Sequence, residues 1–126
     1  MPQTVIRVFR AADKTVPLAE WLETLKAHKR KAYPKCRQRI LLLSKLGSEL
    51  RRPLADILRD GIRELRVRDG RVHYRMLYFF HGANVVCLSH GLTKEGAVAD
   101  AEIDLAVTRK KLVERDPEKY TAAWEV

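Results

Sequence analysis

Six cations carry the chemical interest of this chain: Arg63, Arg66, Arg68, Arg71, Arg75 and Lys94. All lie in one stretch, Gly61 to Lys94, where apolar and polar residues alternate as they do in strands. Guanidinium groups can grip phosphate oxygens bidentately, and fixed donors stabilise the extra negative charge of a phosphoryl transition state. Such a set is compatible with RNA cleavage through the 2′-hydroxyl. That reaction also needs a base for the 2′ proton and an acid for the leaving 5′ oxygen. Arginine is a poor base, whereas a lysine among other cations loses its proton more readily and becomes a better one. The same residues equally fit plain structural roles: Arg66 paired with Glu64 or Asp69, Arg75 stacked on Tyr74 or Tyr78, Lys94 as a solvated strand end.

Other chemistries find no support. His28, His73, His81 and His90 fall on different predicted elements, Cys36 and Cys87 form no CxxC pair, and there is no HExxH, GxSxG or P-loop pattern. No metal and no cofactor is expected. The two cysteines read as reduced, buried thiols of a cytoplasmic protein.

Stepping outward from the cations, Asp69-Gly70 predicts a two-residue hairpin turn and His81 to Asn84 a looser one. They separate three strands: one through Leu65 and Val67, one through Val72 to Phe80, and an apolar one from Val85 to Leu88. The middle strand is polar on one side at its start and apolar on both sides at its end, so its far end should be covered on both faces. Upstream, Thr4 to Arg10 reads as a strand, Pro17 opens a helix with Leu18, Trp21, Leu22 and Leu25 on one stripe, and Pro34 to Leu46 reads as a second helix ended by Gly47. Arg51 to Asp60 reads as a connector. Downstream, Asp100 is the expected N-cap of a helix to Arg115, and Asp116-Pro117 ends it. Tyr120 and Trp124 in the tail are candidates for docking on the body or on a partner. The expectation is an α+β fold of order β-α-α-β-β-β-α, a mostly antiparallel sheet in two layers, packed against an αα-hairpin, with a C-terminal helix.

The chain has 126 residues, so residues 1–126 are read as a single domain with a core of its own. No apolar run approaches the roughly 20 residues that span a bilayer, and no membrane partner is expected. The net charge of +9 favours polyanions, nucleic acid first and acidic protein segments second.

Four motifs then fall in order: Gly61-Ile62-Arg63-Glu64-Leu65-Arg66, Tyr74-Arg75-Met76-Leu77-Tyr78, His90-Gly91-Leu92-Thr93-Lys94, and Glu102-Ile103 with Ala106 and Arg109. Together they resemble the phage-derived, HigB-like branch of the RelE/ParE toxin superfamily, the toxins of type II toxin–antitoxin systems. The resemblance implies the β-α-α-β-β-β core and a cytoplasmic, ribosome-dependent mRNA endoribonuclease (an mRNA interferase that inhibits translation). It also implies a cognate helix-turn-helix antitoxin as partner, besides mRNA and the ribosome. It assigns Arg66, Arg75 and Lys94 as catalytic, with Glu64, Arg68 and His90 as further catalytic or RNA-binding candidates. The chain departs from the family pattern after Lys94, where Glu95 replaces a second lysine and the later Lys and Thr-Pro are absent; Glu64 stands at a lysine of RelE itself, although glutamate is normal in this branch. Both glutamates place negative charge near the expected RNA path. Two alternatives share the fold: a ParE-like toxin that inhibits a protein target such as DNA gyrase, and a non-catalytic phage-derived binding module.

Overall fold

The computed structural model describes residues 3–93 and 96–124; Lys94 and Glu95 lie outside the described residues. The elements are β1 (Val5–Phe9), α1 (Pro17–His28), α2 (Ala32–Leu46), β2 (Ala55–Ile57), β3 (Ile62–Asp69), β4 (Val72–Phe80), β5 (Val85–Thr93), α3 (Asp100–Arg115), α4 (Pro117–Tyr120) and β6 (Thr121–Ala123). The expected α+β order is borne out. Two strands are additions: β2 lies in the stretch read as a connector, and β6 in the tail. Each has three residues, too few for a period of two to show in the sequence.

The strands form one sheet in the order β2-β3-β4-β5-β1-β6. β2 to β5 are antiparallel neighbours, and β1 runs parallel to β5. The β3–β4 turn falls one residue later than the sequence suggests: Asp69 pairs with Val72, and the loop is Gly70-Arg71. Gly70 takes φ +62° at the first loop position, which a side chain would resist.

β4 explains the layering. Tyr74, Met76 and Tyr78 pack toward α1 and α2 with Leu65, Val67 and Leu88, whereas Leu77 and Phe79 pack toward α3 with Ile62, Cys87, Ile103 and Ala106. The sheet is therefore covered on both faces, giving three layers in place of the expected two. The cover on the α3 side follows the apolar residues. Glu64, Arg66, Arg68, His73 and Arg75 share that face of β3 and β4 by strand alternation and lie outside its apolar cluster.

Local chemistry sets the helices. Pro17 occupies the first turn of α1, and Leu18, Leu22 and Leu25 are buried. α2 ends at Gly47 with φ +55°, where an added Cβ would run into Thr4 Oγ1. Ala99, rather than Asp100, is the N-cap of α3. Asp116 caps α4, accepting the Lys119 N–H at 3.1 Å. Tyr120 docks on the body, stacked on Phe9 with ring centroids 6.2 Å apart. Cys36 and Cys87 are free and buried, as expected, and burial pushes both thiols up to about 12.

A Cβ on Gly91 of β5 would overlap the Trp21 indole. Gly91→Ala is therefore expected to displace Trp21 and destabilise the fold by about 1–3 kcal/mol. Urea unfolding measures this; an unchanged midpoint contradicts the packing described.

Candidate active site

The β3–β4 ladder sets three successive rungs on one face: Glu64 opposite Leu77, Arg66 opposite Arg75, and Arg68 opposite His73. Two arginines directly across a pair of strands repel each other. Glu64 resolves that repulsion. Its Oε1 accepts from Arg66 Nε at 2.6 Å and from Arg75 Nη1 at 2.5 Å. The carboxylate is 1% exposed, the Arg75 side chain 12% and that of Arg66 36%. The cationic rung is thus anchored at its buried edge and opens to solvent mainly through Arg66.

The network continues sideways. Asp56 on β2 accepts from Arg66 Nη2 at 3.1 Å and from Arg52 Nη2 at 2.9 Å. The Arg52 hydrogen bond is the main reason the Asp56 carboxyl lies below its ordinary range. On the other side, Arg75 Nη2 donates to the Gly96 carbonyl at 2.7 Å, tying β4 to the β5–α3 connector. Charges therefore alternate from Arg52 through Asp56, Arg66 and Glu64 to Arg75. Two polar sites remain available. Arg66 Nη1 has no partner among the described residues, and Glu64 Oε2 is buried without a hydrogen bond.

Two recesses meet at the arginine rung, and Arg66 and Arg75 line both. One, of about 400 Å³, also includes Asp56, Leu58, Glu64 and Gly96. The other, of about 490 Å³, also includes Arg39, Leu54, Arg68 and His73. Arg39 reaches over from α2 and donates to the Arg66 carbonyl, covering the β3 edge beyond β2. The arrangement can bind an anion on the rung, with a carboxylate on one flank and an imidazole on the other. Among the described residues no group of side chains could hold a metal ion.

Of the sequence candidates, Glu64, Arg66 and Arg75 come together, and Arg68 stands on the next rung. Arg68 is exposed, and its Nε donates to the Gly70 carbonyl at 2.8 Å, bracing the hairpin turn. Lys94 falls outside the described residues. Arg63 projects to the opposite face and sits 5.0 Å over the Phe80 ring, and Arg71 is in the turn.

His90 lies elsewhere. Leu77 pairs with His90 and Tyr78 with Leu88, so Ser89 is an extra, bulged residue. The bulge turns His90 toward α3. There Nδ1 is 2.7 Å from Ser89 Oγ, and Nε2 is 3.6 Å from Glu102 Oε2. Arg109 donates to the Ser89 carbonyl at 3.3 Å and sits 4.8 Å over the Phe9 ring. Arg109 thus fastens α3 to the sheet, and His90 lies beside Glu102 with its Nε2 buried and without a hydrogen bond. Sequence reasoning missed Asp56, Arg39 and His73 as neighbours of the rung. Only the period of two in β4, which aligns His73 with Arg75, could have found one of them.

The profile of the phage-derived Gp49-like protein family (DUF891) matches residues 20–111. No curated protein matches the chain significantly.

Glu64→Gln keeps the shape but leaves the two guanidiniums without their shared charge. The loss is expected to reach about 3 kcal/mol, as for other broken buried ion pairs, read as a lower urea midpoint. An unchanged midpoint contradicts the anchoring role. His90 is held below its ordinary 6.5, chiefly by burial, then by Arg109, with Glu102 opposing. The unfolded chain therefore binds this proton more readily than the folded one, and stability falls as pH drops below 6.5. His90→Gln should flatten that acid-side slope in urea midpoints measured against pH; an identical slope contradicts the assignment.

Proposed function

This chain belongs to the phage-derived Gp49-like family, within the RelE/ParE-like toxin superfamily, and from that membership and the arginine rung we propose that it is the toxin of a type II toxin–antitoxin pair, of the HigB-like branch, that cleaves mRNA on the ribosome. The observation that carries this reading is the Arg66–Arg75 rung, held rigid by a buried carboxylate and open on both flanks to a recess. Donors fixed before the substrate arrives need no reorganisation when phosphate charge develops.

In the proposed reaction the RNA 2′ oxygen attacks phosphorus and the bond to the 5′ oxygen breaks. The products are a 2′,3′-cyclic phosphate and a 5′-hydroxyl. Arg66 and Arg75 bind the non-bridging oxygens, and Lys94 adds a further cation. Glu64 Oε2, the buried acceptor without a partner, receives the 2′ proton. Glu64 Oε1 keeps its two guanidinium partners, so the rung stays fixed while Oε2 takes the proton. A helix-turn-helix antitoxin would neutralise the protein by laying an acidic segment on the same cations. The proposed site of action is the cytoplasm; among the described residues no helix is long and apolar enough to cross a membrane.

Arg75→Ala is expected to lower mRNA cleavage by about 10²–10³-fold with the circular dichroism spectrum unchanged. Arg75→Lys should recover little, because an ammonium cannot reproduce the two-pronged contact. A folded Arg75→Ala protein that cuts at the wild-type rate contradicts the reading. Affinity for the antitoxin's acidic segment should fall steeply with added salt in titration calorimetry; a salt-independent affinity counts against charge pairing at this face.

A further inference from the structure

Resting on the RNA-cleaving reading above, we propose that His73 is the general acid of the reaction, donating a proton to the 5′ oxygen as it leaves. In-line displacement puts the entering and leaving oxygens on opposite sides of phosphorus. The β3–β4 ladder offers a matching order. The arginine rung is in the middle, the Glu64 rung on one side, and the Arg68–His73 rung on the other. Neighbouring rungs on one face are two residues apart, roughly 7 Å. A phosphate on the middle rung therefore has the Glu64 carboxylate in the lining of one recess and an imidazole in that of the other.

The other histidines are excluded by position. His90 is buried beneath α3, His81 lines a separate hollow with Arg7 and Cys87, and His28 is exposed at the end of α1. His73 is half-buried, and among the described residues no hydrogen bond engages its ring. The charged groups around it are Arg68 across the ladder, Arg66 and Arg75 on the next rung, and Arg39 from α2. Asp69, next along β3, is held by Lys35 at 2.9 Å. Guanidinium groups keep their protons at neutral pH, whereas imidazole exchanges them. His73 is thus the side chain lining this recess that can transfer a proton. The incoming phosphate brings negative charge to a recess whose other charged lining residues are arginines.

The balance closes on this chain's own residues. The 2′ oxygen bonds to phosphorus and loses its proton to Glu64. The bond to the 5′ oxygen breaks, and that oxygen takes a proton from a ring nitrogen of His73. Solvent then removes a proton from Glu64 and returns one to His73.

The test compares ribosome-bound mRNA carrying either the normal linkage or a sulfur in place of the bridging 5′ oxygen at the cut site. Sulfur departs as a thiolate and needs no proton. His73→Ala should cut the normal linkage about 10²–10⁴-fold more slowly and the sulfur linkage within tenfold of wild type. It should also lose the fall in rate at alkaline pH that a required acid imposes. His73→Gln, which keeps the shape, should behave alike if the alanine variant folds poorly. Arg75→Ala should be slow on both linkages. Variants at His73 that are equally slow on both linkages, or as fast as wild type on the normal one, overturn the donor assignment and leave the cleavage reading standing. A wild-type protein that cuts neither linkage overturns both.

Discussion

One buried carboxylate between two guanidiniums holds this site together. Without Glu64, Arg66 and Arg75 would face each other across adjacent strands with no charge between them. Of the three, Glu64 is the most deeply buried, and its charge is offset by both guanidiniums. The same geometry gives the rung its chemical character. The guanidiniums are fixed from the inside by the carboxylate, and Arg66 Nη1 keeps a donor without a partner among the described residues. Asp56 steadies the outer edge of Arg66, and the Gly96 carbonyl steadies Arg75. Glutamate at this position therefore organises the cations: its negative charge, which in the sequence stands near the expected RNA path, is matched by two positive ones.

The layers decide where such a site can exist. β3 and β4 form a long hairpin, and apolar residues on its α3 side are confined to the end that carries Ile62, Leu77 and Phe79. α3 covers that end and is fastened there by Arg109, which donates to the Ser89 carbonyl. Toward the Gly70 turn the same face becomes polar, with Arg68, His73 and Arg75. α1 and α2 support the hairpin from behind through Leu65, Val67, Tyr74 and Met76. The cations thus project from strands whose reverse side is a packed core, which limits their motion far more than a loop would.

Much of this was legible in the sequence. The order of helices and of the longer strands follows from the period of two around Arg75, the apolar stripe after Pro17 and the glycine at the end of α2. The hairpin itself follows from Asp69-Gly70, but a turn on those two residues would set Arg66 opposite His73; the shift by one residue is what brings Arg66 opposite Arg75. Other features were hidden for physical reasons. β2 has too few residues to show a period, yet it delivers Asp56 to Arg66. The bulge at Ser89 reverses strand parity, so His90 reads as part of a strand-end motif and acts instead beneath α3. Cover on both faces at the far end of β4 was legible in its apolar residues, but not that α3 supplies it by packing against Phe79 and Cys87, a long-range contact. Arg39 lies in a helix whose spacing shows its buried face but not the strand edge its guanidinium reaches.

The central claim is that a rigid arginine rung on this sheet cuts mRNA as it is translated. The most direct measurement is primer extension on a reporter mRNA in a translating extract, with and without the wild-type protein, alongside the same mRNA left untranslated. The account predicts cuts on the translated message alone. Intact message in both samples, from a protein that still arrests growth, would contradict it and point to a protein target.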